Sequence, residues 1–128
     1  MHRSWLLVAL LVLVTACGAG SGTAASCVAP QLVALSPDHG PARTSVSLTV
    51  EHLHEGCHDT NGPNDEKPRT AAVYFGQQDT ETLVGSMTGG GPRYTATLRF
   101  DVPASAVPGT AVLSLGSERQ VVGRFTVG

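Results

Sequence analysis

From Cys27 onward, the sequence alternates apolar and polar residues over short segments, and no window of 11 residues keeps an apolar period of 3.6. The alternation is clearest in 93–102, where one face of an extended chain carries Tyr94, Ala96, Leu98, Phe100 and Val102. Eight prolines and fifteen glycines separate such segments. A period of two between frequent turn residues predicts β-strands, and it leaves no room for a helix of more than a turn or two in the domain.

Seven segments carry this strand pattern, and turn residues recur every 8–12 positions between them. The predicted strands are 31–35, 44–53, 70–75, 80–87, 93–102, 110–115 and 120–127. In the first of them we expect Val33 and Leu35 to share one side. We expect 54–69 to form a long polar loop, and 88–92 to form a loop because its three glycines leave the backbone too free for a ladder. Short strands at this spacing predict an all-β fold, a seven-stranded β-sandwich over 27–128.

The first 17 residues indicate the cellular location of the protein. A basic start, Met1-His2-Arg3, precedes the apolar stretch Leu6–Val14 and the small residues before Cys17. This order is typical of a secretory signal, and its final cysteine resembles the lipobox of bacterial lipoproteins. The resemblance implies that 1–16 is a signal peptide, and that Cys17 is acylated, with palmitate among its lipids.

The expected location follows from the lipid. The mature protein would be held on the extracytoplasmic side of the cell membrane, with 17–26 as the lipidated terminus and flexible tether. A plain secretory signal and an uncleaved anchor are the alternatives. The nine apolar residues of Leu6–Val14 fall short of the roughly 20 that span a bilayer, which disfavours the anchor.

Charge and aromatic content exclude some partners. Without Arg3, seven basic and ten acidic side chains remain, a net charge of −3. No basic stripe exists, which argues against nucleic acid. Cleavage of the signal peptide removes Trp5, the only tryptophan. The three Phe and two Tyr that remain are a small supply for stacking on sugars or bases.

Two cysteines remain after lipidation, Cys27 and Cys57. Outside the membrane the environment is oxidising, so we expect a disulfide between them. It would close a loop of about 30 residues and stabilise the fold by roughly 3–4 kcal/mol in the chain-entropy model. Two free thiols or a metal site are the alternatives.

Several short motifs, in order, resemble IPT/TIG domains. They are the "SPxxGP" opening in Leu35–Pro41, the alternating strand Val46–Val50, the "V-x-F-G" strand Val73–Gly76, the "VP…PGT" stretch in Val102–Thr110 and the closing strand Phe125–Val127. The resemblance covers about 30–128 and implies an immunoglobulin-like β-sandwich. It implies no particular partner, because fold does not fix function.

The segment after the second strand holds the candidate metal ligands. His52 and His54 point to one side of an extended chain, and His58 could reach back across the turn at Gly56. Imidazoles suit zinc or copper, so an envelope metal-binding protein is the alternative function. Histidines at a strand end beside a loop are, however, often only solvated.

Catalysis finds no support in the sequence. No Gly-x-Ser-x-Gly motif is present, and we expect neither an enzyme nor a cofactor. The expected function is therefore non-catalytic binding or scaffolding, with an envelope protein or a wall component as partner. The candidate binding residues are His54, Asp59 and Asn61 of the long loop, and Tyr74 on the outward side of its strand.

Overall fold

The computed structural model describes residues 25–26, 28–56, 58–59 and 66–128. These residues form strands and turns without any helix. Accordingly, the described ranges hold no helix that could cross a membrane.

Twelve strands are present in these ranges, of which five are only two residues long. The longer strands are β2 (Gln31–Ser36), β4 (Ser45–Glu51), β8 (Thr70–Gln77), β9 (Thr80–Thr88), β10 (Ala96–Asp101), β11 (Gly109–Leu115) and β12 (Gln120–Val127). The short ones are β1 (Ala25–Ser26), β3 (His39–Gly40), β5 (His54–Glu55), β6 (His58–Asp59) and β7 (Lys67–Pro68).

Most of the strands belong to two sheets. The three-stranded sheet has the order β10-β4-β2, and the five-stranded sheet has the order β3-β12-β11-β8-β9. All of their pairings are antiparallel except β3 with β12. Two small ribbons, β1–β6 and β5–β7, lie beside them.

The inward side chains of both sheets form one core. In β4 every second residue is fully buried (Val46, Leu48 and Val50). In β8 the same alternation buries Ala71, Val73 and Phe75, and Phe75 packs on Phe125 with ring centroids 6.3 Å apart. The remaining core is apolar: Leu53, Met87, Ala96, Phe100, Val102, Ala111, Leu113, Leu115, Val122 and Val127.

The all-β class is therefore confirmed, and the two sheets are consistent with a β-sandwich. Each predicted strand segment overlaps one of the longer strands, with boundaries shifted by up to three residues. The structure also has five short strands, three of them within the predicted loop 54–69. The seven-stranded immunoglobulin-like class stays a prediction.

Three local predictions were wrong. Val33 is 54% exposed instead of sharing an inward face with Leu35, because a bulge in β2 between Leu32 and Ala34 shifts the register. Tyr94 is not in a strand: its φ of 50° places it in a turn, and β10 begins at Ala96. The predicted loop 88–92 takes part in strand pairing, because Gly90 forms a β-bridge with Thr95.

Candidate binding face

The outward side of the five-stranded sheet carries a mixed surface that we call the outer face. It is built from two rows that cross β9, β8, β11 and β12 in that order. The first row is Leu83, Tyr74, Ser114 and Val121, and the second is Glu81, Gly76, Val112 and Arg124. Along β8, β11 and β12 these residues alternate with core residues and so lie on the outward side, although Ser114 is only 5% exposed.

Tyr74 and Arg119 form the centre of the outer face. The guanidinium carbon of Arg119 lies 3.6 Å from the centroid of the Tyr74 ring, a cation–π contact. Its Nε donates to both oxygens of Glu81 at 2.9 and 3.1 Å, and its Nη1 donates to the carbonyl of Gly116 at 2.8 Å. The hydrogen bond to Glu81 is the main reason that the pKa of Arg119 is raised.

A second ion pair fixes the turn 116–119 that carries Arg119. Nη2 of Arg69 donates to the two oxygens of Glu118 at 3.0 and 3.2 Å. The pKa of Glu118 is lowered, first by a hydrogen bond from its own backbone amide and then by the charge of Arg69. Arg69 and Glu118 therefore hold one side of the turn while Glu81 and Arg119 hold the other.

A shallow depression of about 300 Å³ lies beside the Tyr74–Arg119 stack. Its lining includes two small residues, Gly76 and Ser114, and two apolar ones, Val112 and Val121. Val121 is 53% exposed, and Leu83 in the same row is 62% exposed. An aromatic–arginine centre among exposed apolar side chains is the chemistry that is enriched in protein interfaces.

A smaller cavity of about 150 Å³ opens at one end of the sandwich. The side chain of Gln77 closes it by pairing with the backbone of Val107: Nε2 donates to the carbonyl at 2.7 Å, and Oε1 accepts from the amide at 3.0 Å. The lining residues include no acid, base or thiol. This cavity therefore offers no group for proton transfer or metal ligation.

Several predicted site residues fall outside the described residues. These are Cys17, Cys27, Cys57 and Asn61, and with them the signal peptide 1–16 and most of the tether. For His58 and Asp59 the structure gives the backbone of β6 but not the side chains. Lipidation, the disulfide and these loop contacts therefore stay predictions.

The prediction that His52 and His54 lie on one side of a single extended strand is wrong. The strand β4 ends at Glu51, and His52 turns the chain with a φ of 62°. Nε2 of His52 lies 3.5 Å from a Glu51 oxygen, whereas His54 packs on Tyr94 with ring centroids 5.0 Å apart. Nothing in this arrangement favours the metal-binding alternative over the binding function.

Within the described ranges, no three His, Cys, Asp or Glu residues come together as metal ligands. The side chain of His58 is outside this statement, so the predicted set His52, His54 and His58 stays a hypothesis.

Tyr74 lies on the outward side of its strand, as the alternation predicts, but Arg119 covers its ring. The sequence alone did not identify the other members of this surface, Arg119, Leu83, Gly76, Val112 and Val121. Only cross-strand register brings these residues together, and no local pattern in the sequence gives that register.

Comparison of the chain with protein-family models, curated proteins and solved structures finds no match.

Proposed function

We propose that this chain is a membrane-anchored, non-catalytic binding module of the cell envelope, and that the outer face is its binding surface. The observation that carries the proposal is the combination of exposed Leu83 and Val121 with the Tyr74–Arg119 stack on one sheet. Backbone pairing on both sides of β8 and β11 holds these groups in place, so binding them requires little ordering of the protein.

The anchor rests on the sequence before the domain. Cys17 follows an apolar stretch and small residues, the order found at lipoprotein cleavage sites. Acyl chains stabilise membrane attachment by about 0.8 kcal/mol for each buried methylene, and two or more chains make it lasting. The tether 18–26 would place the domain roughly 15–18 Å from the lipid.

The immunoglobulin-like class, with its IPT/TIG resemblance, is part of the proposal and is supported by the strand order. The segment 31–40 contributes β2 to the three-stranded sheet and β3, paired in parallel with β12, to the five-stranded sheet. The next long strand, β4, pairs with β2 and β10 and not with β8, the long strand that follows it in the sequence. A segment divided between two sheets, as 31–40 is here, and long connections between paired strands are features of Greek-key sandwiches.

The disulfide is also part of the proposal. In the ribbon β1–β6, Ala25 pairs with Asp59 and Ser26 pairs with His58. The same antiparallel register, continued by one position, would set position 27 opposite position 57. Residues directly opposite each other in an antiparallel pair are close enough for a disulfide.

A non-catalytic role is consistent with the chemistry of the outer face. Its carboxylate, Glu81, is engaged by Arg119, and Glu118 of the adjacent turn is engaged by Arg69. The lowered pKa of Glu118 keeps this carboxylate ionised at neutral pH, so it is not suited to donate a proton there.

Metabolic labelling of the full chain in a bacterial host with an alkyne analogue of palmitate tests the anchor. We expect label on the wild-type protein in the membrane fraction, and neither label nor membrane retention for Cys17→Ser. Cys57→Ser removes a different cysteine and should keep both. A Cys17→Ser protein that stays membrane-bound and uncleaved would show that the lipoprotein assignment is wrong.

A further inference from the structure

We infer that the partner of the outer face is a second copy of this chain. The two copies would pack face to face about a two-fold axis that runs parallel to the strands, between β8 and β11. The inference deepens the proposed function, because it names the partner of the same surface. It is argued from the order of residues in the two cross-strand rows.

The second row is complementary to its own reverse. It reads Glu81, Gly76, Val112, Arg124 from β9 to β12. A half-turn about the axis sets the reversed row of the second copy against it. Glu81 then faces Arg124 twice, and Val112 of each copy faces Gly76 of the other. The pairing joins acid to base and a branched side chain to a glycine.

The first row behaves in the same way. It reads Leu83, Tyr74, Ser114, Val121, so the half-turn brings the exposed Leu83 of one copy over the exposed Val121 of the other. The Tyr74 ring with its Arg119 layer then lies opposite Ser114, which is the smallest side chain of the row and, at 5% exposure, is already buried within its own chain. On the two central strands a bulky residue therefore lies opposite a small one, while on the outer strands Leu83 meets Val121 and Glu81 meets Arg124. This arrangement lets the two sheets pack closely.

The charges on the outer face favour this partner. Arg124 is exposed and forms no ion pair with any residue that the structure describes. Glu81 retains exposed carboxylate surface beside Arg119, with 46% of its side chain accessible. A self-complementary surface with acid and base at opposite ends is what an isologous dimer needs.

The orientation of the axis suits a membrane-anchored protein. A rotation about an axis parallel to the strands leaves the direction along the strands unchanged. The chain therefore enters both domains from the same end of the dimer, and both tethers can reach one membrane.

The size of the outer face sets the expected strength. Four strands of about seven residues cover roughly 20 by 24 Å, or roughly 500 Å² in each copy. The total of roughly 1,000 Å² is at the lower limit for a specific interface, so the dimer should be weak in dilute solution. Confinement of both copies to one bilayer raises their effective concentration, and the dimer should form there.

Site-specific photo-crosslinking in membranes tests the inference. The full chain carries p-benzoylphenylalanine in place of Leu83 and is irradiated in the membranes of the expressing cells. We expect a product of twice the mass of the chain, in which mass spectrometry locates the crosslink in the β12 peptide that contains Val121. The same photo-reactive group in place of Arg99, on the outside of the three-stranded sheet, should give no such product.

Charge reversal gives the decisive variants. Glu81→Arg or Arg124→Glu alone sets like charges opposite each other twice, and should lower the crosslinked yield about tenfold. The double variant Glu81→Arg/Arg124→Glu restores opposite charges across the interface and should recover the yield. Because the new guanidinium at position 81 still faces Arg119 within the chain, recovery cannot come from repair of the fold. Arg99→Glu is the matched control and should change nothing.

Gly76→Val tests the packing independently. A Cβ at Gly76 would meet no atom closer than 3.7 Å, so the variant should fold, as thermal unfolding can verify. It fills the space that Val112 of the second copy needs, and the crosslinked dimer should be lost.

Other results would overturn the inference. Capture of only a different envelope protein would reject the dimer while supporting the binding function of the outer face. A crosslink to the second copy elsewhere than near Val121, or no rescue in the double variant, would reject the geometry. A wild-type protein that is neither labelled nor found in the membrane fraction would instead reject the proposed function.

Discussion

At the scale of single residues, the three glycines between β9 and β10 have different roles. Gly89 is buried, and a Cβ on it would overlap the carbonyl of Leu53. Gly91 has a φ of 71° in the turn that leads to Tyr94, a backbone conformation that favours glycine. Gly90 has open space around it and no positive φ. The run is a close backbone contact followed by a turn, and its middle residue, although bridged to Thr95, has neither a crowded Cβ position nor a positive φ that would require glycine.

We predict that Gly89→Ala destabilises the protein by about 1–3 kcal/mol, because backbone must move to admit the methyl group. The adjacent Gly90→Ala should be neutral or stabilising by up to about 1 kcal/mol, since it restricts only the unfolded chain. Urea unfolding midpoints at constant m value compare the two. Equal midpoints for both variants would contradict the close contact at Gly89.

At the scale of elements, the turn 116–119 is held by charges. The pKa of Glu118 lies below its ordinary value of 4.5, first because its own amide donates to it and then because Arg69 is close. A carboxyl group with a lowered pKa in the folded state stabilises the fold at pH values above 4.5. That contribution is lost as the pH falls through the folded-state pKa.

We predict that Glu118→Gln is less stable than the wild type at pH 7, and that the difference disappears at low pH, where both side chains are uncharged. Urea unfolding across this range measures it. Asp79→Asn changes a carboxylate that has no ion pair among the described residues and is the control. A difference for Glu118→Gln that persists unchanged to low pH would mean that the charge is not responsible.

The strands were predictable where the burial of one side imposes an alternation of apolar and polar residues. Val46, Leu48 and Val50 alternate in sequence because one side of β4 is covered by the other sheet and one is not. The pattern fails at Val33 and Tyr94, where a bulge and a positive φ interrupt the strands. A bulge adds one residue without changing composition, so no local pattern shows it.

The outer face was less predictable than the strands. Leu83 and Val121 are 38 positions apart in sequence, and three strand pairings connect them. Tyr74 alone was identified, because its outward orientation follows from the local alternation. Its contact with Arg119 depends on a turn that folds back over the sheet, and such a long-range contact has no local signal.

At the scale of the whole molecule, we predict that the bond between Cys27 and Cys57 stabilises the fold by roughly 3–4 kcal/mol. This is a large share of the roughly 5–15 kcal/mol that holds a typical domain together. Urea unfolding with and without a thiol-free reductant measures it. The variant Cys27→Ala/Cys57→Ala should unfold like the reduced wild type and should not respond to reductant. Two alkylatable thiols in unreduced mature protein would show that the bond is absent.

The division of the segment 31–40 between the two sheets has a mechanical consequence. Residues 31–40 pair with β4 through β2 and with β12 through β3, so one continuous segment is fastened to both layers of the sandwich. Any pulling force that enters the sandwich through Val28 arrives first at this segment. The load is then shared by backbone hydrogen bonds in two sheets, and neither sheet can be peeled from the other without breaking both sets.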